Sequence, residues 1–511
     1  MTARFHLLWP GVAVAVGLCG CGGEPKPAPL PPITSAPAFS VTTTTAATTS
    51  TTLAIIPSPL PAPQPAASTT TTLPPPPTAP IVIPAPVKST VARTVSLNAI
   101  KAELDGQIGG ILMATDGNVY FGASTHSGAH GAAFFRFSPR TRELTCLARD
   151  VTLLCGEDPA STPQGAIQGA MAEADGCIYF ATQFASEREG AAADYPGSHV
   201  IAYETGAGKF RDLGILEAGQ TASGGVALDA QRKRLYVLTS PLSPEQAARG
   251  GKCLVHRIDL VAGKKEVAAE LRTGVAHTSA GFFVDIRGDA WFTLSERPGT
   301  LYCVRAEAGR PLEQWPGVLP LRYSLRAEEV LPDAQQADRH WTWVRGLPDG
   351  ERCVFTASED GMLWQFDAGK ATPDPRSAFT PLRHIGPNGP GICMAGERIF
   401  YVQRANRREG IRAPRWDANL HLMSLSLTPG DDHEIMDHGL LADQDARRPW
   451  RIESLCADGG GRIYLCGDWH LRKGETGVRR YVPRAQDAWQ LEARGLFLAV
   501  VDLTAGGAKE K

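Results

Sequence analysis

The chain has 511 residues, 43% of them hydrophobic, with 53 glycines, 40 prolines and a formal net charge of −2. A near-neutral chain without a clustered basic surface gives no electrostatic case for nucleic acid, because phosphate backbones are bound through concentrated positive charge. The one basic run, Arg404, Arg407, Arg408, Arg412 and Arg415, reads as solvated loop charge.

Residues 1–20 read as an export signal, with Arg4 ahead of an apolar run from Leu7 to Leu18 that Pro10 interrupts. The run is too short to span a bilayer. It ends in LCGC at 18–21, where Cys21 follows a small residue and stands three after Leu18. This resembles the bacterial lipobox, and the resemblance implies diacylation of Cys21, which becomes the mature N-terminus. Gly22 after the cysteine then favours the outer membrane or its periplasmic side over inner-membrane retention. Residues 21–94 are Pro, Thr, Ala and Ser with almost no charge, including Thr42–Thr45, Thr69–Thr72 and Pro74–Pro77. Such a stretch cannot bury enough apolar surface to offset its conformational entropy, so a disordered tether is expected ahead of a folded domain at 95–503 and a short tail at 504–511.

Within the domain one segment recurs. GNVYF at 117–121 returns as GCIYF at 176–180, RLYV at 234–237, DAWF at 289–292, RCVF at 352–355, RIFY at 398–401 and RIYL at 462–465. One strand repeated every 45 to 65 residues or so signals radial repetition, and for antiparallel strands that means an all-β, seven-bladed β-propeller with four-stranded blades. The first blade reads as strands at 109–114, 119–123, 133–137 and 143–147, with an AspGly hairpin turn at 116–117. A second landmark, ETGAGK at 204–209, DLVAGK at 259–264 and DAGK at 367–370, marks third-to-fourth turns; without a following helix these are not phosphate loops. Blades are expected at 107–150, 166–215, 222–272, 278–318, 340–383, 389–440 and 450–497, with a terminal strand (94–99 or 497–502) closing the ring. Residues 325–338 read as an irregular insertion, and no strong amphipathic helix is found.

Propeller geometry places the second-to-third loops and the blade crossovers on one face. The long loops at 124–132, 183–197, 240–252, 403–418 and 467–476 gather His126, His130, Tyr195, Arg404, Trp416, Asp468, Trp469 and His470 there, and the crossovers add His277, His340, His384 and Arg451. Imidazole is a common metal ligand and general base, so convergence of three of His126, His130, His277, His340, His384 and His470 would mark a divalent-metal or acid–base site. Scatter around a wide ring is the weightier reading. His199, His256 and His421 fall in third strands and read as structural. Gln168, Trp343, Arg451 and Glu453 occupy inner-strand positions, where a buried Glu453 near Arg451 reads either as a site for a polar ligand or ion or, the weightier reading, as a pair within the channel. Nine cysteines follow Cys21, mostly inside strand patterns as buried thiols, and Cys146 with Cys155 are spaced to close a short loop. No hydrolase elbow, zincin, dinucleotide or Walker sequence occurs.

The AspGly-aromatic and AspXaaXaaXaaGlyLys landmarks make 95–503 resemble the bacterial seven-bladed propellers, including YVTN-like, SMP-30-like and quinoprotein-like repeats. The resemblance implies the fold and leaves the chemistry open, since propellers host binding proteins, lyases, lactonases and oxidoreductases. The expectation is a monomeric envelope lipoprotein that binds a glycan or an envelope protein at the long-loop face, with exposed Tyr195, Trp416 and Trp469 as stacking residues. The alternative is a metal-assisted carbohydrate lyase using the loop-face histidines.

Overall fold

The computed structural model describes residues 89–503 apart from 107–108, 159, 187, 189, 249, 273–280, 296, 298, 320–322, 325–328, 331–339, 358–361, 373, 386–390, 405–419, 429–433 and 484–488. The signal segment, Cys21, the tether up to residue 88, His277, Trp416 and the 504–511 tail lie outside the described residues, as do the side chains of His384 and Arg404.

Strand β1 (Ser89–Ser96) is followed by four-stranded antiparallel sheets, each with its strands in chain order. The first holds β2 (Ile111–Met113), β3 (Val119–Ala123), β4 (Ala133–Ser138) and β5 (Glu143–Ala148). The second holds β6 (Ala172–Ala174), β7 (Cys177–Ala181), β8 (His199–Glu204) and β9 (Lys209–Ile215). The third is β10 (Gln220–Asp229), β11 (Arg234–Pro241), β12 (Lys252–Asp259) and β13 (Lys264–Arg272). The fourth is β14 (Phe283–Val284), β15 (Ala290–Thr293), β16 (Leu301–Val304) and β17 (Glu313–Trp315). A small pair joins β18 (Tyr323–Ser324), just ahead of the expected insertion, to β19 (Glu329–Val330), a short strand where irregular chain is expected. The next blade is β20 (Trp341–Gly346), β21 (Arg352–Ala357), β22 (Met362–Asp367) and β23 (Phe379–His384). The remaining strands are β24 (Cys393–Ala395), β25 (Arg398–Arg404), β26 (Leu420–Ser426), β27 (Ile435–Asp443), β28 (Arg451–Ala457), β29 (Arg462–His470), β30 (Val478–Pro483) and β31 (Trp489–Asp502). The chain is an all-β propeller of four-stranded antiparallel blades.

Where the sequence predicts two further separate blades, a single nine-stranded sheet stands instead, because β1 stitches its halves together. Ser89–Ala92 pairs in parallel with Leu440–Asp443 of β27, and Arg93–Ser96 pairs antiparallel with Phe497–Val500 of β31. The N-terminal strand thus meets the C-terminal one, as the closure argument expects, and it covers a second edge that the sequence did not reveal. Among the described residues the helical content includes one five-residue α-helix, α1 (Pro244–Ala248), in the loop after β11.

The recurring second strand is buried on both faces, and its alternation feeds two interfaces. Val119 and Phe121 of β3 pack with Cys456, Tyr464 and Leu498 on one side. Tyr120 packs with Ile178, Phe180 and Tyr203 on the other. Each such aromatic, fully buried, contributes about 2–3 kcal/mol. An aspartate ahead of the strand fastens the turn to it. Asp116 accepts from the Asn118 amide at 2.9 Å and from the Tyr120 hydroxyl at 2.7 Å. Asp458 does the same for the Arg462 amide (3.0 Å) and the Tyr464 hydroxyl (2.9 Å). The repeat therefore encodes a capped hairpin turn locked to the core. Near the axis, inner strands of neighbouring blades almost touch: a Cβ on Gly169 would stand 2.0 Å from the Gly225 nitrogen, so only glycine fits.

The nine cysteines from Cys146 to Cys466 are all free thiols. Cys146 and Cys155, spaced for a bridge, instead donate to the carbonyls of Ala148 and Val151, each at 3.4 Å.

Candidate functional site

Strand β28 begins at Arg451, opposite Asp468 of β29, and a bulge between Ile452 and Ser454 takes Glu453 out of the cross-strand register. A bulge of this kind re-aims a side chain. Here it brings Glu453 back onto Arg451, whose Nη2 contacts Glu453 Oε1 and lies 3.1 Å from Asp468 Oδ2. Asp468 Oδ1 accepts in turn from Arg494 Nη1 at 3.1 Å. Among the described contacts two buried carboxylates thus face two guanidiniums, the pairing that burial of ionised groups requires. Burial works to lower the Arg451 pKa, but Glu453 and Asp468 outweigh it and the group is held above its ordinary value. A Cβ on Gly467 would stand 2.1 Å from the Arg451 carbonyl oxygen, so glycine is needed where β29 passes the start of β28.

Aromatic rings flank this ion cluster. The Arg494 guanidinium lies 4.5 Å from the Trp450 ring centroid, and His470 meets the same indole edge-on at 5.0 Å. The Arg451 side chain is 37% exposed, whereas those of Glu453 and Asp468 are 5% and 4% exposed. The result is a cation fixed from beneath by two carboxylates and open above, at the start of an inner strand, on the face that carries the crossovers and long loops. The Arg451 Nε–H is buried and has no acceptor among the described residues.

Arg451, Glu453 and Asp468 therefore come together as a unit, with His470 beside them. The pairing expected of Arg451 and Glu453 is present. Trp469 and Tyr195 are not the exposed stacking residues expected of them, since both are 3% exposed. Strand β29 runs on to His470, which puts Trp469 in phase with buried Ile463 and Leu465. Its indole stacks on Phe497 at 4.4 Å, with the Arg447 guanidinium 3.3 Å from its centroid on the ring face. The Tyr195 hydroxyl donates to Gln164 Oε1 at 2.7 Å and lies 3.0 Å from Ser198 Oγ, and burial pushes its pKa up.

The histidines divide. His126 Nδ1 bonds Asp105 at 3.0 Å, while His130 in the same loop is exposed. Among the described residues no set of three His, Cys, Asp or Glu side chains is grouped as a metal site. The third-strand histidines are structural, as the sequence indicates. His199 bonds Asp212 through Nδ1 and Glu157 through Nε2, each at 2.9 Å. Burial alone would lower its pKa, but the bonds to Asp212, Cys155 and Glu157 carry it up to about 11. His256 lies 3.0 Å from the Thr239 hydroxyl, and burial lowers its pKa to about 4. His421 bonds Asp437 at 3.0 Å. Sequence reasoning missed Trp450 and Arg494; the only signal was a Trp-Arg pair at 450–451 leading into an inner strand.

Fold and site together define a β-propeller with a polar, partly aromatic constellation on its loop face. No known family profile matches the chain, and no curated protein matches it. Solved structures do: an oligogalacturonate lyase in complex with manganese is 10% identical, with 82% of this chain and 96% of that one covered and a TM-score of 0.47. A GH74 enzyme of Niastella koreensis is 12% identical over 72% of this chain and 52% of that one, with a TM-score of 0.46. A mitotic checkpoint complex structure is 9% identical over 83% and 96%, with a TM-score of 0.43. At these values the likenesses add nothing about activity.

Proposed function

We propose that the chain is an envelope-anchored propeller lipoprotein that binds a glycan or protein partner at its loop face, without catalysis. The reading takes Cys21 as the lipid site and counts seven blades: five separate sheets and two more joined by β1. One observation carries the binding assignment. Arg451 is pre-positioned by buried Glu453 and Asp468, yet its side chain stays 37% exposed. The guanidinium fork beside the Trp450 and His470 rings suits a hydroxyl-bearing, ring-shaped ligand better than an extended apolar peptide. The metal-assisted lyase reading finds no ligand set among the described residues, and His277 lies outside them.

The test is a glycan array with the purified chain, repeated with Arg451→Lys and His470→Ala. Lys keeps the charge facing Glu453 and Asp468 but lacks the Nε donor and the planar fork. Selective glycan binding that falls about tenfold or more in Arg451→Lys supports the site. Binding that is indifferent to both substitutions would move the site elsewhere, and absence of glycan binding with capture of an envelope protein would favour the protein partner. The anchor is tested separately: Cys21→Ser should transfer the chain from the membrane to the soluble periplasmic fraction.

A further inference from the structure

We infer that the opposite face, which carries the first-to-second and third-to-fourth turns, holds an oxyanion-binding groove between the β10–β13 and β14–β17 blades. The groove has a volume of about 690 Å³ and is lined by Arg232, Arg234, Arg287, Arg305 and Arg310, together with the carboxylates Asp289, Glu307 and Glu313. These residues come from separate turns. Arg232 and Arg234 stand at the entry to β11, Arg287 in the turn between β14 and β15, and Arg305 and Arg310 between β16 and β17.

Three carboxylates of this region lie beneath the guanidinium layer, while Glu313 and Glu307 are 32% and 76% exposed. Side chains of Asp229, Asp285 and Asp289 are 3%, 1% and 9% exposed, whereas Arg232, Arg287 and Arg310 are 38%, 44% and 59% exposed. Asp229, Asp285 and Asp289 hold Arg232, Arg287 and Arg305 from below. Arg232 gives Nη1 to Asp229 at 3.2 Å. Arg287 spends Nε and Nη2 on Asp285, at 3.1 and 2.6 Å, and Nη2 also reaches the Ala368 carbonyl. Arg305 is the saturated member, with Nη1 on Asp289 and its other edge on Glu313.

Arg234 differs from the rest. Its Nη1 donates to the Ala306 carbonyl at 3.1 Å, it forms no ion pair among the described residues, and Asp259 opposite it on β12 acts on it only through space. Arg257 donates to the same Ala306 carbonyl at 3.0 Å, so two guanidiniums converge on one neutral oxygen. Arg310 reaches only the exposed Glu307, at 3.5 Å, among the described residues. A guanidinium presents five donors in a rigid plane that matches carboxylate, phosphate and sulfate oxygens. Several such planes with spare donors in one concave wall select an anion that brings two or more oxygens.

The experiment is calorimetric titration of the purified full chain with inorganic phosphate, sulfate and citrate in parallel, and of an Arg234→Gln/Arg310→Gln variant. Neither residue bonds a buried carboxylate, so the variant should keep the parent's thermal midpoint. Arg140→Gln, an exposed arginine in the distant β4–β5 turn, serves as the charge control. Saturable binding weakened about tenfold or more in the double variant and unchanged in Arg140→Gln is the expected result. Response to phosphate and sulfate alone assigns a tetrahedral oxyanion, and response to citrate alone assigns a carboxylate ligand. No saturable heat with any of the three, or equal affinity in parent and double variant, overturns the inference. The loop-face proposal is untouched by either outcome.

Discussion

Arg447 lies over the face of Trp469, its guanidinium carbon 3.3 Å from the ring centroid, while Phe497 stacks on the same indole 4.4 Å away. Arg447 is itself fixed by Asp443 at 2.9 Å and by Glu475 at 2.7 Å. The stack fastens the loop after β27 to the sheet of β29 and β31. Trp469→Ala should therefore cost about 3–5 kcal/mol of stability, the usual loss for a buried aromatic. Denaturant unfolding measures it. A loss of ligand binding with unchanged stability would return Trp469 to the role of a ligand platform.

The Arg451–Glu453–Asp468–Arg494 cluster predicts strong coupling. Glu453→Gln leaves a net positive charge in a largely buried site and should cost about 2 kcal/mol, less than the roughly 3–5 kcal/mol of removing a buried partner outright. The Glu453→Gln/Arg451→Gln double variant should recover part of that loss, because contacting charges are not additive. Strict additivity in urea unfolding would show that the two side chains do not share their energy.

Two buried histidines should give stability slopes of opposite sign. The His199 pKa rises from 6.5 to about 11 on folding. Its contribution is complete below the unfolded value and drains away as pH rises toward the folded one. The His256 pKa falls from 6.5 to about 4, so its contribution is present above the unfolded value and disappears as pH drops through the folded one. Each slope is at most about 1.4 kcal/mol per pH unit. Thermal midpoints of His199→Gln and His256→Gln against the parent across pH 5–9 test this. The His199→Gln deficit should shrink toward pH 9, and the His256→Gln difference should change mainly at the acid end. Parallel pH profiles for all three proteins would refute both assignments.

The repeated strand is legible because its information is local: a turn and a buried aromatic lie within a few residues in each copy, and an aspartate precedes them in all but the 398–401 copy. The 119–123 strand read from sequence has the same bounds as β3. Trp469 departs from the loop reading because β29 continues past the recurring motif to His470. Both faces of β29 are buried up to Trp469, so extending the strand that far suffices to bury the indole. Tyr195 gave no such cue, since its partners Gln164 and Ser198 are brought to it by tertiary packing. The arginine groove was invisible for a related reason. Its members spread from Arg232 to Arg310 and meet only when two blades lie side by side.

Strand β1 makes the last prediction, because one segment holds two edges at once. Its first half pairs with β27 and its second with β31, and just beyond it Asn98 Oδ1 accepts from the Leu496 amide at 2.6 Å. Val95→Pro removes a backbone donor and strains the pairing around Leu498, at a cost of roughly 2–3 kcal/mol. If β1 acts as a single clasp, loosening it at Val95 should also free Ser89–Ala92. Amide exchange should then accelerate together in Phe497–Val500 and in Leu440–Asp443, although the latter pairs with residues three or more positions away from the substitution. Faster exchange in the β31 segment alone would mean that the two halves of β1 hold their edges independently.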